Sequence, residues 1–317
     1  MTDPREQEAF LRNLPIIDPH QHFWDLQAHP ERYPNWTTRP EPFRYGSTER
    51  LMGQSYLPDD YRRDVAAHNV VGTVHVQAGW VGDPLGEARW LAQLRHRERL
   101  PTVAVGQASL HLPDAGQTLA GLAGFDFMRG IRTKPTQVEA PADAQRGRPG
   151  SMDDPAWRRG YQQLEQHGFV GEVQVPWWDL AAAAEVARDH PGIHLVLNHT
   201  ALPSDRSAEG LAAWRRAVAL LAPHDCVRMK LSGIGLAPGT WPTEENMRIV
   251  QEAISILGWQ RCLFASNYPV DSLVASFDTI YSGFKRAVRG FPRQQMDALF
   301  HDNAAALYRI ADQPAAA

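Results

Sequence analysis

The sequence predicts a (β/α)8 TIM barrel of the α/β class, and three observations carry that prediction. Eight short β-rich runs recur along the chain, separated by helical patterns. The 317 residues leave room for such a barrel, which commonly takes about 250. The rival, an open doubly wound sheet, usually carries a Gly-rich phosphate loop after its first strand, and no such loop stands there.

The first strand is read at 15–20 (PIIDPH), the second at 70–77 (VVGTVHVQ) and the third at 102–109 (TVAVGQAS). The fourth follows at 128–133 (MRGIRT), the fifth at 170–175 (VGEVQV) and the sixth at 193–199 (IHLVLNH). The last two are 226–232 (CVRMKLS) and 262–267 (CLFASN). Helices are read at 58–68, 84–99, 115–123, 154–167, 179–189, 209–222, 243–257 and 273–288. Gly168 and Pro191-Gly192 punctuate the joins, and the run Ala181 to Ala184 is plain helix-forming sequence. Two stretches break the rhythm, 24–57 after the first strand and 134–153 after the fourth. Both leave strand C-termini, where barrels build their sites, so they read as lids or binding loops. No linker marks a second domain, and residues 1–317 are read as one.

Composition narrows the function classes. The chain is 43% hydrophobic and 21% charged with a net charge of −4, which argues against a nucleic-acid surface. No apolar run approaches the roughly 20 residues that span a bilayer. The start, "MTDPREQEAF", does not read as a secretory signal. Cys226 and Cys262 lack disulfide-framework or zinc-site spacing and read as reduced core residues. The expectation is a cytoplasmic protein with a small-molecule substrate, with homo-oligomerisation left open.

The strand ends gather polar residues. Strand one delivers His20 and His22, two apart and so on one side of an extended chain. The others supply Gln77, Arg132, Gln174, His199, Lys230 and Asn267, with Asp271 a turn later. A buried polar cluster of this kind costs free energy unless it is paired. His20, His22 and His199 suit one divalent metal such as Zn2+, or acid–base work without a metal. Arg132 could anchor a carboxylate or carbonyl, and Lys230 could stabilise an oxyanion. Gln77 and Gln174 suit substrate binding or loop support. Trp24, Trp36, Tyr33, Trp177 and Trp178 lie on strand-end loops, where aromatic faces would suit a sugar ring or planar lactone. Their alternative role is to hold the loops down.

The segment "DPHQHFWDL" resembles the HxH signature of the amidohydrolase superfamily. "VVGTVHVQA", "RGIR", "LNHTALP", "MKLSG", "LFASNYPVD" and "FHDNAAALYRI" narrow the likeness to the branch of sugar lactonases and 2-pyrone-4,6-dicarboxylate lactonase. The resemblance runs from about residue 14 to 310. It implies a distorted barrel, a site at its C-terminal mouth, and hydrolysis of a small lactone. His20 and His22 match the HxH pair, and His199 matches the strand-six histidine. The strand-four lysine that bridges two metals is absent, because that strand ends Arg132-Thr133, so at most one metal is expected. Some lactonases of the branch use none.

Asn267 departs from the pattern, which has a proton-accepting aspartate there. An amide has no useful basicity at neutral pH. The base then falls to Asp271 or Asp18, or the residue marks a natural loss of hydrolysis or an engineered inactivation; a natural Asn is preferred. A metal-dependent decarboxylase and a non-catalytic ligand-binding protein are the alternative functions.

Overall fold

A computed structural model of the chain describes residues 10–38, 43–143 and 146–311. Eight strands pair in parallel in chain order, from β1 (Ile16–Gln21), β2 (Val70–Val76), β3 (Val103–Gln107) and β4 (Met128–Thr133) to β5 (Val170–Val173), β6 (Leu195–Leu197), β7 (Val227–Leu231) and β8 (Cys262–Phe264). Apolar side chains that alternate along these strands point to two sides. Ile17, Val74, Val76, Val103, Val105, Val170, Val196 and Leu263 form an inner cluster. The larger cluster packs the outer faces against helices. The barrel is nearly closed. Among the described residues no ladder joins β8 to β1; the bridge Gln21–Tyr268, backbone bonds near it and the bonds of Ser266 to Asp18 span that seam.

The barrel helices are α1 (Pro58–Val65), α2 (Gly86–Glu98), α3 (Ala115–Ala123), α4 (Pro155–Gln162), α5 (Leu180–Asp189), α6 (Ala208–Ala219), α7 (Thr243–Leu257) and α8 (Phe277–Ala287). Side-chain caps set several starts. Asp154 accepts from the Ala156 N–H, Ser207 from Gly210 and Ser276 from Thr279. The Ser276 cap explains why α8 begins later than the apolar pattern suggests, since Val270–Leu273 forms a separate 3-10 turn. Strands β5, β6 and β8 end earlier than expected, at Val173, Leu197 and Phe264.

A terminal segment escaped the sequence reading. Arg293–Asp297 runs through a π-type turn at Ala298–Asp302 into Asn303–Tyr308. Ala304, Leu307 and Tyr308 pack into the inner cluster. The described residues of the 24–57 stretch, 24–38 and 43–57, are anchored. Trp24 and Tyr56 exchange backbone bonds at 3.1 and 2.9 Å, and Trp24, Tyr33, Trp36, Tyr45 and Leu51 are buried. Asp25 ties it further by accepting from the Gln27 and Ala28 N–H groups. Among the described residues no helix is long and apolar enough to cross a membrane.

Candidate active site

The seam between β8 and β1 builds the first half of the site. The Asn267 N–H donates to His20 O at 2.8 Å, and the His22 N–H donates to Tyr268 O at 2.7 Å. The bonds that close the barrel therefore also fix both histidines beside Asn267. His199 arrives from β6 on a different device. His199, Thr200, Ala201 and Leu202 have φ of 57°, 56°, 56° and 53°, four consecutive residues in the left-handed region. That conformation costs an L-residue roughly 1–2 kcal/mol. Tertiary bonds hold it: Trp214 Nε1 donates to Thr200 O at 2.9 Å, and Thr200 Oγ1 donates to Ser232 O at 3.1 Å. Gly233, itself at φ 64°, leaves the room this turn needs, since a Cβ there would lie 2.5 Å from His199 Cβ.

The three rings converge. His20 lies 5.0 Å from His22 and 4.6 Å from His199, centroid to centroid. Burial and neighbouring positive charge pull all three well below the ordinary histidine range, so they are neutral at pH 7. The Arg132 guanidinium meets His20 Nε2 at 3.4 Å, which assigns the lone pair to Nε2 and the proton to Nδ1. His22 Nδ1 donates to Val76 O at 2.6 Å, and its Nε2 lies 3.2 Å from the Asn267 amide. Asn267 in turn reaches Asp271 Oδ1 at 2.5 Å, and Tyr45 donates to the same oxygen at 2.8 Å.

Donors and acceptors balance along His22–Asn267–Asp271 in two ways. An imidazolium His22 donates to the amide oxygen while the amide NH2 donates to ionised Asp271. Alternatively the amide is turned round, donates to neutral His22 and accepts from protonated Asp271. Burial favours the second as the pH falls toward 6, because it pushes the Asp271 carboxyl up to about 6.

The histidines as arranged do not fit a metal ion. Both His22 nitrogens are engaged and His20 Nε2 faces a guanidinium, while His199 alone of the three keeps an Nε2 open among the described residues. Among the described residues no group of three or more His, Cys, Asp or Glu could hold one. The expected ligand set His20, His22 and His199 is therefore not formed, and Arg132 stands where it would repel a dication.

A cavity of about 290 Å3 opens at this end of the barrel, a volume suited to a small molecule. Of the residues singled out from sequence, His22, His199, Asn267, Arg132, Gln174, Trp24 and Trp36 line it. His20 lies behind Arg132, and Asp271 behind Asn267. Lys230 is not brought to the mouth. It faces the barrel interior, where Glu172 holds it. Gln77 spends its side chain on the Gly79 N–H and its carbonyl on Arg132. Asp18 is committed to Ser266 and Tyr61. Tyr33 packs edge-on to Trp80 and Trp90 as loop support. Trp178 donates to Val138 O beside a neighbouring cavity, and Trp177 packs edge-on to it.

Arg44 and Lys134 also line the mouth, and sequence reasoning missed both. Lys134 directly follows strand four, so its place was readable. Arg44 sits inside the long insertion, where no periodicity announces a direction.

The family described as Amidohydrolase matches residues 17–310. The uncharacterised protein y4mH of Sinorhizobium fredii is 34% identical over 301 residues, covering 95% of this chain and all of that one. An L-fucono-1,5-lactonase of Burkholderia multivorans is 29% identical, covering 93% of this chain and 96% of the relative. Crystal structures of a B. multivorans amidohydrolase, one with bound HEPES and one with bound zinc, superpose with a TM-score of 0.76 at 27% identity, covering 93% of this chain and 99% of that one. With its barrel, its histidine-lined mouth and a family match over nearly its whole length, the chain belongs to the amidohydrolase family.

Proposed function

We propose that the protein is a hydrolase that opens a small lactone by attack of water at the barrel mouth, with His199 as base and Arg132 stabilising the oxyanion. The observation that carries this reading is that a neutral imidazole and a fixed guanidinium line the same cavity. With the proton on the nitrogen that meets Ser232, the lone pair of His199 falls on Nε2, which has no hydrogen-bond partner among the described residues. The relatives named as L-fucono-1,5-lactonases support lactone chemistry.

In this reading, water attacks the carbonyl carbon and its proton passes to His199 Nε2. The oxyanion forms beside Arg132. Burial lowers that guanidinium only to about 10, so it stays charged at neutral pH. Collapse breaks the ring C–O bond, and His199 returns the proton to the leaving alkoxide. The product is a hydroxy acid that ionises. Asn267 takes no proton. It holds His22 and Asp271 in register.

The test is proton release from a panel of sugar and pyrone lactones in weak buffer, with and without Zn2+, alongside a measurement of carbon dioxide. Turnover without zinc that His199→Ala abolishes is expected. Carbon dioxide release, silence across the panel, or full activity in His199→Ala would overturn the assignment.

A further inference from the structure

The charge of the mouth is one-sided. Arg44, Arg132 and Lys134 line it, and none of the described residues lining it is an Asp or Glu. The carboxylates that bear on Arg132, Glu172 and Glu87, lie elsewhere: Glu172 is spent on Lys230, and Glu87 accepts from the Ala78 N–H. Asp271, the acid nearest in effect to Arg44, lies behind Asn267 and Tyr45. Lys134 has no hydrogen-bond or ion-pair partner among the described residues, and its exposed side chain opens into the mouth. The charges that act on it are Arg132 and Arg44, both repulsive.

Three cations in so small a space repel one another, and that repulsion is relieved when an anion enters. A neutral sugar lactone would leave it in place. Arg44 is also partly committed in a way that aims it. Its Nη2 donates to Tyr45 Oη at 3.0 Å and its guanidinium lies 4.7 Å over the Tyr45 ring, while the buried Nε has no partner. A planar fork and a mobile point charge on one cavity wall make a receptor for a carboxylate. Phe43, Trp36 and Val270 supply apolar lining for the rest of a small ring.

We propose that Arg44 and Lys134 bind an anionic group of the substrate, most simply a carboxylate remote from the scissile carbonyl, so that the preferred substrates are negatively charged lactones. This rests on the lactonase reading and sharpens it.

The experiment compares an aldarolactone with the aldonolactone of the same ring stereochemistry, which differ by a carboxylate in place of a hydroxymethyl group. Wild type is expected to favour the charged lactone in kcat/KM by about tenfold or more. Lys134→Gln should collapse that ratio toward one, chiefly through KM, and the charge-keeping Arg44→Lys should lower it less. Equal turnover of both lactones by wild type, or a ratio unchanged in Lys134→Gln, would overturn the proposal and leave the lactonase reading intact. Calorimetric binding of the open-chain aldarate and of inorganic phosphate separates the two readings. Aldarate binding that Lys134→Gln weakens, with no lactone turned over, would sustain the anion site and remove the lactonase. Phosphate bound as tightly as aldarate would make this a free-anion site and overturn the proposal.

Discussion

Lys230 Nζ sits between the two carboxylate oxygens of Glu172, at 2.8 and 2.7 Å, with both side chains shut from solvent. Tyr308 donates to the same carboxylate at 2.6 Å and Asn198 at 2.8 Å. Burial lowers the ammonium to about 8, with Glu172 holding it up, so Lys230 is charged at neutral pH. An ion pair so enclosed is dangerous to break singly. Glu172→Gln should cost about 3–5 kcal/mol in urea unfolding by leaving Lys230 unbalanced. Adding Lys230→Met should recover most of that loss and keep kcat within a few fold. Collapse of kcat in the folded double variant would restore Lys230 to the chemistry.

Asp271 touches Asn267 and Tyr45 and does not line the mouth. In the proposed mechanism it positions Asn267 and takes no proton from water. Asp271→Asn keeps an oxygen for Tyr45, so kcat should fall by less than about tenfold. A general base would lose more. Steady-state kinetics at neutral pH decides between the two.

The same carboxyl shapes stability against pH. Its folded pKa, raised from 3.8 to about 6 by burial, exceeds that of the unfolded chain. Between about pH 4 and 6 the unfolded state has released the proton while the folded state keeps it, so stability falls as pH rises, by about 3 kcal/mol in all. Urea midpoints at pH 4 and 6.5 should converge more in Asp271→Asn than in wild type. Parallel behaviour of the two proteins would assign the slope to other groups.

Gly233→Ala would put a methyl group 2.5 Å from His199 Cβ and 2.7 Å from its Nδ1, at a φ of 64°. The expected result is a folded protein less stable by about 1–3 kcal/mol, from backbone strain and overpacking. Because the displaced group is the proposed base, kcat should fall at least about tenfold. A variant with wild-type kcat would show that His199 tolerates a shift and would weaken its role.

Much of this was legible in the sequence because strands and helices repeat with their own periods. All eight strands lie where apolar runs end in polar residues, and β4 matches its expected bounds. His20, His22, His199, Arg132 and Asn267 meet because parallel strands bring their C-terminal ends to one rim. What escaped depends on distance in space. Nothing near Lys230 in sequence discloses Glu172, 58 residues away, or Tyr308 in a final helix without a strong pattern. The left-handed run after β6 is equally hidden, since Thr200, Ala201 and Leu202 carry no turn signal.

The seam between β8 and β1 ties catalysis to the integrity of the ring. Few backbone bonds span it, and two of them start or end at His20, His22 and Asn267. A local opening there would part His20 and His22 from Asn267, and so loosen the packing of His20 against Arg132 and His199, while the seven strand ladders stayed intact. Inactivation by mild denaturant should then run ahead of the loss of helical signal. Exchange of the Asn267 and His22 amide hydrogens should follow the inactivation, making activity itself a gauge of whether the circle is shut.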